Sequence, residues 1–87
     1  MASLSAVQSA VQSAESLGKE LWQDGFNYRY GTEYSPKNLN EAIRCFRAAI
    51  RVSGDAYAMD NLADIYRERG FPKDLKNALK LEMLLRA

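Results

Sequence analysis

The sequence predicts an all-α protein of two antiparallel helix hairpins, and three observations lead there. Apolar residues recur at helical spacing in four stretches of the chain. The segment Pro36-Lys37-Asn38-Leu39-Asn40-Glu41-Ala42-Ile43-Arg44 returns 36 places later as Pro72-Lys73-Asp74-Leu75-Lys76-Asn77-Ala78-Leu79-Lys80. A period in the thirties is the mark of helical repeats, in which each unit stacks on the next to bury an apolar face it cannot bury alone. Finally, Gly54-Asp55 and Gly70 with Pro72 stand where helices of ordinary length would stop and restart.

Taken in order, the first helix is expected from near Ser3 to Gly25 or soon after. Leu4, Val7, Ala10, Val11, Ala14, Leu17, Leu21, Gly25 and Tyr28 share one face, and Ser, Gln and charged residues fill the rest. Small side chains dominate its first half, so residues 1–10 are expected to fray or to await a partner. Phe26 to Pro36 reads as a loop or a bent helical extension, punctuated by Gly31 and Ser35-Pro36. A second helix follows over roughly 38–52, where Leu39, Ala42, Ile43, Phe46, Ala49 and Ile50 form the clearest core face in the chain. The third runs over about 55–69, capped by Asp55, with Ala58, Leu62, Ile65 and Tyr66 inward. Asp74 is expected to cap a fourth helix reaching Arg86. Leu75, Ala78, Leu81 and Leu85 of that helix can face the third one.

Composition narrows the functional classes. Eighty-seven residues form one domain, able to bury about 60–65% of the unfolded surface. Twelve Lys and Arg against eleven Asp and Glu leave neither half basic enough to suggest a duplex nucleic-acid binder. Histidine is absent, which removes the commonest general base and zinc ligand together. One cysteine, Cys45, supports neither a disulfide framework nor a thiolate metal site. With no membrane-length apolar run and no signal-peptide pattern, the chain is expected to be cytoplasmic, without cofactor or metal, and not an enzyme.

The stretch Gly54-Asp55-Ala56-Tyr57-Ala58-Met59-Asp60-Asn61-Leu62-Ala63-Asp64-Ile65-Tyr66 resembles the Sel-like branch of the tetratricopeptide-repeat superfamily. That family reads Gly-Asp-Ala-x-Ala, three residues, then Leu-Gly/Ala-x-x-Tyr. Leu17-Gly18-Lys19-Glu20-Leu21-Trp22-Gln23-Asp24-Gly25-Phe26 lines up with Leu62 to Phe71 once an insertion at 27–35 is allowed. The resemblance covers residues 14–86 and implies a short right-handed solenoid. Residues 1–13 then form an extension or cap, 14–52 the first repeat and 53–87 the second. It further implies that the third helix lines a groove with Tyr57, Asp60, Asn61, Asp64 and Arg67. Asp60 and Asp64 suit a basic or amphipathic helical partner better than the carboxylate that family members grip with Lys and Arg. Glu82 and Arg86 take the positions of Phe46 and Ile50, as a polar C-terminal cap would, four residues apart for mutual support.

Candidate chemistry is sparse. Asp60 and Asp64 lie one turn apart, but two carboxylates fall short of the about 6–8 oxygens calcium takes, so a solvated or salt-bridged face is expected. Arg44, Arg47 and Arg51 make a basic stripe, either an acidic-motif surface or a solubilising face. Cys45 reads as an inert thiol at the edge of the core. Around the insertion, Phe26, Tyr28, Arg29, Tyr30 and Tyr34 crowd into nine positions just after Trp22. These residue types dominate interface energetics, and rings can equally cover a small core; both readings stand.

The function expected is therefore a non-enzymatic protein-binding module, an adaptor, chaperone-like or inhibitor protein that docks a peptide or helix of a partner. The alternative is a structural module that self-associates as a homodimer through Met83 and Leu84, apolar residues on the far sides of the last helix.

Overall fold

The computed structural model describes residues 4–86, and four α-helices account for most of them: α1 (Leu4–Tyr30), α2 (Leu39–Ser53), α3 (Ala56–Arg69) and α4 (Pro72–Arg86). No strand occurs among the described residues. The expected start near Ser3 and the place of Leu4 in the apolar stripe lie outside what is described. α1 packs along α2 and α3 along α4, while α2 joins the two pairs and α1 touches α3. The molecule is thin, 15 Å in its shortest dimension. Two helix layers about 8–10 Å apart would give such a thickness.

Local chemistry explains the helix boundaries. Asn38 adopts an extended conformation, and its side chain accepts the Glu41 amide (3.1 Å), which satisfies one of the free donors at the start of α2. Gly54 ends α2 in the left-handed region, its N–H donating to the Ile50 carbonyl. Asp55 then caps α3 by accepting the Ala58 amide at 2.9 Å. Gly70 closes α3 in the same left-handed way.

Two boundaries differ from the sequence reading. α1 runs through Gly25 to Tyr30, so the first part of the insertion is helix rather than loop. Gly31 (φ 78°) takes the terminating role, donating to the Asn27 carbonyl. Gly25 is needed for space: a Cβ there would lie 2.8 Å from the Phe46 ring. Gly18 likewise lets Ser53 approach, where a Cβ would come within 2.0 Å of its hydroxyl. α4, in turn, begins at Pro72, a residue well suited to the first helical position, where no amide is needed. Asp74 is therefore not its cap. It lies buried inside the first turn, its Oδ2 3.0 Å from Nε of Arg69.

The core comprises Ala42, Ile43, Phe46 and Ala49 of α2, Ala58, Leu62, Ala63, Ile65 and Tyr66 of α3, and Ala78 of α4. Leu21, Trp22, Tyr28, Leu39, Ile50 and Leu81 pack around it. Phe46 and Ile65 are the largest side chains fully buried. Coverage fails at both ends. Val7, Val11 and Leu17 are exposed on α1, as are Leu75 and Leu85, expected to face α3. Arg86 makes no ion pair with any described residue, and Glu82 reaches across to Arg67 of α3 rather than supporting Arg86. α4 has a helix on one side only, which leaves those residues with nothing to pack against.

Candidate functional site

α1 carries Trp22, Phe26 and Tyr30 at successive i,i+4 positions, so the three rings form one strip along its surface. Trp22 and Phe26 meet edge to face with centroids 6.0 Å apart, and Phe26 and Tyr30 lie 4.7 Å apart. Tyr57, from the first turn of α3, extends the strip across to the second helix pair, 5.9 Å from Trp22. Phe26 and Tyr30 are exposed, and Tyr57 is 70% exposed. Only Trp22 is half-buried, rooted against the core.

A polar strut fixes the strip from beneath. Arg29 is only 6% exposed, and its Nη1 donates to Oδ1 of Asn61 (2.8 Å) while Nη2 donates to Oε1 of Glu68 (2.7 Å). Asn61 is oriented in turn by donating from Nδ2 to the Tyr57 carbonyl (2.8 Å). The Arg29 guanidinium also lies 5.0 Å from the Tyr30 ring centroid, a cation–π distance. Tyr30 and Tyr57 are thus tied to one buried charge, and α1 is locked to α3 at the same point. Glu68 neutralises that charge, and the exposed Asp60 on this side of α3 has no ion-pair partner among the described residues.

The remaining residues singled out from the sequence go elsewhere. Tyr28 turns toward α2: its ring packs on the core and its carbonyl accepts the Asn38 amide at 2.7 Å. Tyr34 stands in the loop after α1, 91% exposed and away from the other rings. Asp64 pairs with Arg67, which also meets Glu82 of α4, so both are drawn away from the strip. Met83 and Leu84 are exposed on α4. Sequence reasoning missed Glu68. Its signal was its position seven residues after Asn61, which places both on one face of α3.

For covalent chemistry the thiol is poorly placed. Burial pushes the Cys45 thiol above its ordinary range, and Asp24 and Glu41 add to the shift against a smaller opposing effect of Arg44. Such a thiol stays protonated near neutral pH and is a weak nucleophile. Among the described residues no group of three or more His, Cys, Asp or Glu side chains converges. No helix among them is long and apolar enough to cross a membrane.

No protein-family model matches the chain, and no curated protein or solved structure matches it either.

Proposed function

We propose that this chain is a protein-binding module whose docking surface is the ring strip Trp22–Phe26–Tyr30–Tyr57. The observation that carries the reading is the exposure of three of these rings above the buried Arg29 and its bonds to Asn61 and Glu68. Rings held in place lose little entropy on binding, and Trp, Tyr and Arg are the residues from which hot spots are built. Asp60 beside the strip favours an amphipathic helix or peptide with a basic residue flanking its apolar anchors. The role is that of an adaptor, chaperone-like or inhibitor protein, acting by contact rather than catalysis.

On this reading the chain is two antiparallel hairpins of a short right-handed solenoid of tetratricopeptide or Sel-like type. Support comes from the repeated Pro-Lys segment and from the approaches of Gly18 to Ser53 and Gly25 to Phe46, which suit α2 running back along α1. α1 and α3 would then line the inner face.

The test is to capture a partner with the tagged protein and measure its affinity for the wild type and for Phe26→Ala/Tyr30→Ala/Tyr57→Ala. We expect the triple variant to melt like the wild type and to bind at least about 30-fold more weakly, or 2 kcal/mol. Full retention of affinity would dismiss the strip as the docking surface.

A second reading, self-association, is favoured by the exposure of Met83 and Leu84. Those two side chains lie about 100° apart around α4, so one flat interface accommodates them poorly. Sedimentation at micromolar concentration is expected to give a monomer of 9.8 kDa. A dimer dissolved by Met83→Glu/Leu84→Glu would replace the lead reading with the structural one.

A further inference from the structure

A second surface lies on the side where α2 and α4 flank α3. Between the three helices opens a cleft of about 220 Å³ floored by Ile50, Leu62, Tyr66 and Leu81. Arg47 from α2 and Lys80 from α4 stand on its two rims, with Asn77 beside them. Leu62 and Tyr66 point about 140–180° around α3 from Tyr57, so this surface is separate from the ring strip.

The charge around the cleft is one-sided. α2 and α4 contain three acids, and all are engaged: Glu41 with Arg44, Asp74 with Arg69, and Glu82 with Arg67. Arg47, Arg51, Lys73, Lys76 and Lys80 on the same helices make no ion pair with any described residue. In a chain of formal net charge +1, two of these cations, Arg47 and Lys80, therefore stand uncompensated over one apolar-floored cleft. A solubilising face needs no cleft, and structural cations would have acids to hold.

We infer that this cleft docks an acidic amphipathic helix of a partner protein, one apolar side chain filling the floor and flanking carboxylates meeting Arg47 and Lys80. The shape favours a peptide over a lipid surface, because the apolar atoms form a recessed floor and not a ridge that could enter a bilayer. Single-stranded nucleic acid is disfavoured because the one ring in the cleft, Tyr66, is buried and offers no stacking face. At about 30 Å³ of liquid volume per water, the cleft has room for a leucine- or phenylalanine-sized group.

The test uses the full chain, ¹⁵N-labelled, titrated with a synthetic amphipathic peptide of about four helical turns that carries Leu on one face with Glu on both sides. A matched peptide with Lys for Glu is the control. We expect saturable shifts at Ile50, Leu62, Asn77 and Leu81 and none at Trp22 or Phe26, with affinity falling as salt is raised. Arg47→Glu/Lys80→Glu should weaken binding at least tenfold at an unchanged melting temperature; should the double variant melt early, Lys80→Glu alone serves, its site being exposed on α4. Equal binding of the Lys peptide, shifts on the ring strip instead, or no saturable shift up to about 1 mM peptide would overturn the proposal. So would binding of phosphatidylserine vesicles through Arg47 and Lys80 without binding of the peptide. Because the readout is residue-specific, loss of this site leaves the ring-strip reading untouched, and the converse holds.

Discussion

Arg29 shows how one side chain can support a surface it does not itself present. Its guanidinium is buried with two charge-assisted or polar bonds, to Glu68 and Asn61, and Tyr30 lies against it. Arg29→Ala removes both bonds, yet Glu68 is half exposed and returns to water, so the cost is well below that of a fully buried pair. We expect a loss of about 1–2 kcal/mol, read as a melting temperature lower by about 5–15 °C. Arg29→Lys should recover only part of it, since an ammonium cannot repeat the two-armed geometry. An unchanged melting temperature in the Ala variant would mean that the strut holds nothing. None of this pairing was legible in the sequence. Arg29 and Glu68 are 39 residues apart, and only the packing of α1 on α3 brings them together.

At the scale of the element, α1 is where sequence and structure part. A glycine near the end of an apolar stripe reads as a stop, and Gly70, which ends α3, is one. Gly25 instead sits inside the helix because the Phe46 ring occupies the space of its Cβ. The test sets two effects against each other. Gly25→Ala adds about 1 kcal/mol of helix propensity, while crowding a close-packed core costs about 1–3 kcal/mol. Phe46 is fully buried and cannot yield. We expect the urea midpoint to fall; a rise would show that the Phe46 ring makes room for the methyl group. α2 and α3 were legible because each carries a dense apolar arc between an Asn or Asp cap and a left-handed glycine. The continuation of α1 also decides the fate of the aromatic residues. In a helix, neighbours diverge by about 100°, so Tyr28 goes to the core, Arg29 to the bonds beneath the strip and Tyr30 to the strip itself. Read as a loop, the same residues could not be sorted between binding surface and core cover.

For the whole molecule, the radius of gyration is 14.7 Å, against about 12 Å for a compact chain of this length. α1 contributes to that spread, since its exposed Val7, Val11 and Leu17 find no cover, and α4 leaves Leu75, Leu79 and Met83 uncovered along one side. A chain with this much unburied apolar surface has a thin stability margin, which makes the bonds beneath the ring strip more informative than those at the ends. At the ring strip the protein carries its own reporter. Trp22 is the single tryptophan of the chain and touches both Phe26 and Tyr57. Titrating a captured partner that lacks tryptophan into the protein, while following Trp22 emission and its quenching by acrylamide, asks whether the strip is what the partner covers. The account predicts a saturable blue shift and reduced quenching, both with the dissociation constant of the complex. Tight binding that leaves Trp22 emission and quenching unchanged would contradict it.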